Sequence, residues 1–260
     1  MASNDVDEVT FVALLWVCLA ISLFFVLTRL SFQYYLNRQL MIADILVLAA
    51  WLLYLGNAII WTAVYKQMYP IYALSIGTID SWNIPTDIAW AEKRYLRAQL
   101  AGYLISYSSL WLIKLSFLFF FRKLGNHYRA QRILWWAVLM LVIIAYGVTL
   151  SILDYACMMM RCKNPHAMWL ERVNLRVATA MDIVSDVAII ILSGNVMWRV
   201  HISLSKKLAL IGISFLTAFI IVIALVRFLL SVSGNGFLNP EWMAVWNAIE
   251  ICVGESYMSM

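Results

Sequence analysis

The chain has 260 residues, 64% of them hydrophobic and only 13% charged, with 12 Trp, 13 Tyr and a formal net charge of +5. A soluble domain of this length is closer to half apolar and a quarter charged. Here the apolar residues fall in blocks roughly twenty long, the length that spans about 30 Å of hydrocarbon as helix, so composition excludes a soluble globular domain and points to an all-α, integral, multi-pass membrane protein.

Twenty-residue windows predict about seven transmembrane helices, at 11–30, 40–64, 98–121, 133–154, 173–198, 207–231 and 241–258. We read residues 1–260 as a single seven-helix transmembrane domain. The first block, Phe11–Leu30, follows Asp5, Asp7 and Glu8 where a secretory signal would carry basic residues, so it is read as a retained helix. Between the second and third spans, residues 66–97 form a long extramembrane loop with Tyr69, Tyr72, Trp82 and Trp90. That loop either caps the outer mouth of the bundle or lies at the interface, anchored by its aromatics. The loops Arg122–Arg132 and Arg199–Lys207 are basic and free of acid, and with Arg29 and Arg38 they mark the cytoplasmic side, N-terminus outside. Topology thus explains the basic residues, and no nucleic-acid partner is implied. Cys157 and Cys162 flank a loop and can form a disulfide if it faces an oxidising compartment; with His166 they make only a weak metal pattern, and we expect no metal and no cofactor.

Ionisable groups inside a span are costly, face the bundle interior and pair with one another. The chain has Asp44, Lys114, Asp182, Asp186, Arg227 and Glu250 in such positions. Depths taken from about 1.5 Å of rise per residue sort them into two layers. An inner layer pairs Lys114 with Asp44 as a structural ion pair. An outer layer gathers Asp182, Asp186, Glu250, Arg227, Asn57, Asn247 and Tyr107. Thr179, Asp182, Asp186 and Ser193 follow three-, four- and seven-residue steps, one stripe of a helix; Tyr103, Tyr107 and Lys114 form another. Three carboxylates against one arginine leave negative charge in a low dielectric. Burial and like charge both favour the neutral carboxyl, so at least one of Asp182, Asp186 and Glu250 is expected to be a neutral acid. A protonated carboxyl in an apolar, aromatic-lined pocket suits a general acid and equally a receptor for a polar ligand group.

Absences narrow the field. No lysine follows Lys207, so a retinal Schiff base in the last helix is excluded. The Asp-x-x-x-Asp of Asp182–Asp186 has the spacing of a magnesium-diphosphate motif in intramembrane prenyltransferases, but no second aspartate-rich motif faces it. Phosphate loops, His-Glu-x-x-His and Gly-x-Ser-x-Gly are all missing.

Several ordered motifs carry a family resemblance: "IADIL" opening the second span, "LIKLSFLFFFRKL" ending the third, "CKNPHAMW", "MDIVSD" before a long apolar run, "KKLALIGI", "ALVRFLL" and "VWNAIEICVG". In this order the chain resembles the fungal rhodopsin-like integral membrane proteins, a group defined by seven helices. It departs where the family tends to have two aspartates and this chain has Ala43-Asp44, and where the family has Asn and this chain has Asp182. The resemblance implies either a cell-surface receptor of the G-protein-coupled type or, for short members of secondary-metabolite clusters, a membrane-bound cyclase of prenylated substrates. The short chain, ending before the customary cytoplasmic tail, and the extra aspartate favour the second.

The expectation is therefore a membrane-embedded terpene or meroterpenoid cyclase, an isomerase, with a lipophilic prenylated substrate and membrane lipids as its partners. Asp182 or Glu250 would donate the proton, and Asp186 would tune it and, with Asn247, hold the epoxide or hydroxyl. Asn57 and Arg227 would join the substrate site, and Tyr103, Tyr107, Trp111, Trp242 and Trp246 would stabilise cations through their ring faces. The endoplasmic reticulum or another endomembrane is the expected location. A seven-helix receptor or sensor without enzymatic activity is the alternative.

Overall fold

The computed structural model describes residues 8–37, 42–76, 88–125, 129–152, 165–199 and 240–258, with isolated positions between 212 and 225. These residues form α1 (Glu8–Asn37), α2 (Ile42–Ile76), α3 (Ile88–Gly125), α4 (Arg129–Ile152), α5 (Pro165–Arg199) and α6 (Pro240–Met258), with no strand among the described residues. Among the described residues, five segments are long and apolar enough to cross a membrane: Thr10–Tyr35, Ile42–Gln67, Trp90–Arg122, Arg129–Ile152 and Arg176–Val196. They correspond to the first five predicted spans, and α6 to the seventh. The sixth, 207–231, is described only at isolated positions, among them the exposed Phe215, Val222 and Leu225.

The helices are apolar around most of their circumference, the pattern of a helix solvated by lipid on one side and by other helices on the other. Large side chains such as Phe24, Leu52, Ile59, Ile133, Met140 and Ile191 are more than half exposed. That belt is a hydrocarbon-facing surface; on a soluble protein it would be an aggregation liability. The predicted loop 66–97 is mostly helix: α2 continues to Ile76 and α3 begins at Ile88. Its Trp90 starts a span, and its tip, 77–87, lies outside the described residues.

α3 is the hub. It packs against α2, α4, α5 and α6, and 56% of its membrane window is buried, against 28–33% in the other spans. Polar contacts pin it to its neighbours. The hydroxyls of Ser109 and Ser116 donate to the carbonyls of Ala50 and Ala43 at 3.0 and 2.9 Å, and the Trp135 indole donates to the Leu118 carbonyl at 2.7 Å. Such interhelical bonds contribute about 0.6 kcal/mol each in a membrane. At Gly102, α2 and α3 come close: a Cβ there would lie 3.2 Å from Trp61 Nε1 and 3.3 Å from Asn57 Oδ1. The Tyr54 hydroxyl, on the same helix as Asn57, reaches the Ala248 carbonyl of α6 at 3.3 Å.

The expected Lys114–Asp44 pair does not form. Asp44, 1% exposed, is held by Arg29 of α1, whose Nε donates to Oδ1 at 2.8 Å. The reason is helical phase. Ser116 is the α3 residue that faces the start of α2, and Lys114, two residues earlier, points about 200° around the helix, toward α5.

Candidate functional site

Lys114 is the centre of the site. Its ammonium donates to Asp182 Oδ1 at 2.7 Å, Ser185 Oγ at 2.8 Å and the Asp182 carbonyl at 3.1 Å, and pairs with Asp186 Oδ1 at 2.7 Å. The Trp111 ring, one turn earlier on α3, lies beneath the same nitrogen at 5.1 Å. Three protons thus serve four oxygens in a site where the Lys114, Asp182 and Asp186 side chains are 9, 13 and 4% exposed. The spacing of α5 produces this arrangement: residues 182, 185 and 186 share one face, and the Ser185 hydroxyl donates back to the Asp182 carbonyl at 2.7 Å. The whole predicted stripe, Thr179, Asp182, Asp186 and Ser193, is buried.

The two-layer arrangement is thereby corrected. Lys114, assigned to the inner layer, bonds the aspartates assigned to the outer one. The depths expected from sequence rest on a span of 98–121, whereas the α3 window runs from Trp90 to Arg122, 33 residues. At about 1.5 Å per residue that is roughly 50 Å, longer than the hydrocarbon is thick, so a count from its ends does not fix depth.

Beside the lysine is a cavity of about 30 Å³, lined by Leu110, Ile113, Lys114 and Phe117 of α3, Asp186 and Ile189 of α5, and Glu250 and Gly254 of α6. This volume holds one or two waters. Three helices thus contribute one charged group each to one small space. Asp186 is the most exacting member: Lys114 takes Oδ1, and Oδ2 is buried with no hydrogen-bond partner. Glu250 is 5% exposed and belongs to the same wall. Asp182 does not line the cavity; its Oδ1 accepts from the lysine.

The remaining predicted site residues lie around this centre. Asn57 and Asn247 are buried, and Asn57 Oδ1 has no hydrogen-bond partner. Trp111 is 3% exposed and stacks on Tyr146 at 5.6 Å between centroids. Tyr103, Tyr107 and Trp246 are half-buried. None of these six is among the residues lining the cavity. Arg227, the Trp242 side chain, Cys157, Cys162 and the His166 side chain fall outside the described residues.

Sequence reasoning missed Ser185, Phe117 and Gly254. Ser185 was within reach, since it sits between two aspartates on their own stripe. Phe117 and Gly254 carry no signal in a run of apolar residues until the helices that face each other are known.

No curated protein and no solved structure matches the chain. The model of the fungal rhodopsin domain matches residues 28–260, a range that includes Lys114, Asp186 and Glu250 together, and the chain belongs to that family of multi-pass membrane proteins.

Proposed function

We propose that the protein is a membrane-embedded cyclase, an isomerase that protonates an epoxide or alkene of a prenylated, lipophilic substrate. The observation that carries this reading is the Asp186 carboxylate: one oxygen is fixed by Lys114, and the other is buried, without a hydrogen-bond partner, on a residue of the cavity wall it shares with Glu250. A general acid needs a held carboxyl with one oxygen left for the substrate. The charge balance agrees. Asp182 and Asp186 share the single charge of Lys114, so a proton on Asp186 relieves a buried excess of negative charge.

In this mechanism Asp186 Oδ2 gives its proton to the substrate oxygen or alkene carbon, with Glu250 as its partner across the cavity. Lys114 stays in place and keeps Oδ1 from turning. The carbocation closes onto the next double bond, and loss of a proton to the carboxylate restores the acid. Atoms balance without an oxidant or reductant, because substrate and product are isomers. Phe117 replaces the predicted rings as the aromatic beside the reacting carbon, since the Trp111 face is already occupied by Lys114. The cavity takes the oxygen-bearing end of the substrate alone, and the polyene enters by displacing Leu110, Phe117 and Ile189. We place the reaction in an endomembrane, where such substrates partition.

The test is conversion of an epoxidised prenyl substrate by membranes that carry the protein. Wild type forms a product of unchanged mass. Asp186→Asn and Glu250→Gln lose it, and Asp182→Asn retains part. Equal turnover by all variants removes this mechanism, and ligand-dependent stabilisation with no product assigns the site to a receptor instead.

A further inference from the structure

Five residues past Glu250, α6 carries a second buried acid that the site above does not use. Glu255 is 0% exposed, and neither of its carboxyl oxygens has a hydrogen-bond partner. Five residues turn an α-helix through roughly 500°, so Glu255 stands about 140° around α6 from Glu250. Glu250 belongs to the cavity wall shared with α3 and α5, whereas Glu255 faces α1, where Ser22 lies beside it. Ser22 gives Glu255 no proton: its hydroxyl, equally buried, donates to the Cys18 carbonyl at 2.9 Å. The Cys252 thiol lies against Ser22 and Ser256 and donates to that same carbonyl at 3.4 Å. Ser256 Oγ is buried and also lacks a hydrogen-bond partner. Asp44, Asp182 and Asp186 are each met by an arginine or a lysine, but no cation among the described residues pairs with Glu255.

We propose that Glu255, Ser22 and Ser256 bind a sodium ion between α1 and α6. Buried charges are paired or hold a metal, and an orphaned buried polar group calls for a water or an ion. The cluster is rich in acceptors and short of donors. The Ser22 proton is committed to a carbonyl, so its oxygen offers only lone pairs, the property a cation needs. A proton on Glu255 would remove the charge but leave the other carboxyl oxygen and Ser256 unanswered. Charge selects a monovalent ion: one carboxylate balances one positive charge, and calcium or magnesium would leave a buried excess. The ligands are hard oxygens, and among the described residues no three His, Cys, Asp or Glu side chains converge on a transition-metal site. Close packing of the two helices around fully buried Ser22 and Glu255 suits the smaller alkali ion. The ion would then tie the first helix to the last of those described. This site is separate from the Lys114 cluster and independent of the activity proposed above.

The full-length protein in detergent tests it, by following the thermal unfolding midpoint as choline chloride is replaced by sodium chloride or by potassium chloride at constant total chloride. The expected result is a saturable rise with sodium and a much smaller one with potassium. Glu255→Gln keeps the shape of the side chain, removes its charge and should abolish the sodium dependence. Ser22→Ala alters one small side chain, so it tests the site even if Glu255→Gln does not fold. Losing that ligand should raise the sodium concentration at half effect by roughly tenfold. Glu250→Gln, on the other face of α6, should leave the sodium dependence in place. An equal rise with potassium, or a sodium dependence undiminished in Glu255→Gln or in Ser22→Ala, overturns the proposal. So does a midpoint that responds to acid and not to sodium, which would assign a proton to Glu255 instead.

Discussion

Replacing Lys114 with methionine keeps the stem of the side chain and removes its charge. The structure sets the consequence. The ammonium is the counter-ion of both Asp182 and Asp186, at 2.7 Å from each, and neither carboxylate is open to solvent. Removing one partner of a buried pair leaves an uncompensated charge and costs about 3–5 kcal/mol. With Asp186 holding a proton, the stranded charge is that of Asp182, which places Lys114→Met within that range, about 3–5 kcal/mol. The diagnostic comparison is the triple variant Lys114→Met/Asp182→Asn/Asp186→Asn. With no ionised group left in the cluster, only hydrogen bonds are lost, at about 0.6–1.7 kcal/mol each in a bundle, so the triple variant should be more stable than the single one. Denaturant titration of the protein in mixed micelles reads both. A loss below about 1 kcal/mol for Lys114→Met, or a triple variant less stable than the single, would refute the triad as the polar centre of the bundle.

Four more outcomes follow from the packing. Arg29→Met removes the charged donor to the buried Asp44 Oδ1 and should destabilise the bundle; in double-mutant cycles Asp44 should couple to Arg29 and not to Lys114. Gly102→Ala puts a methyl within 3.2 Å of Trp61 Nε1 and 3.3 Å of Asn57 Oδ1 and should destabilise by about 1–3 kcal/mol. Gly147→Ala meets nothing within 4 Å and should be neutral or stabilise the helix by up to about 1 kcal/mol, in the same titration. Tyr54→Phe removes only the bond to the Ala248 carbonyl and should cost about 0.6 kcal/mol.

The membrane class and the first five spans could be read from block length, because hydrocarbon thickness sets that length directly. The stripe on α5 was equally legible, since a three- and four-residue rhythm of polar groups in an apolar run has one helical explanation. What could not be read was pairing between helices. Lys114 lies seventy residues from Asp44 and sixty-eight from Asp182, and sequence separation does not say which α3 face meets which neighbour. In the sequence Arg29 reads as a topological charge near the end of the first span, but its long side chain reaches Asp44 on the next helix. The sequence expectation gives the proton to Asp182 or Glu250, with Asp186 tuning it. Of the three carboxyl groups, Asp186 and Glu250 line the cavity beside Lys114, and Asp182 does not.

The most direct measurement is the profile of lipophilic metabolites in a host making the wild-type chain, the Asp186→Asn variant or the Asp182→Asn variant. Our account predicts a pair of equal-mass compounds: the acyclic one accumulates in Asp186→Asn, and the cyclised one persists in wild type and, at lower level, in Asp182→Asn. Identical profiles from wild type and Asp186→Asn would contradict it.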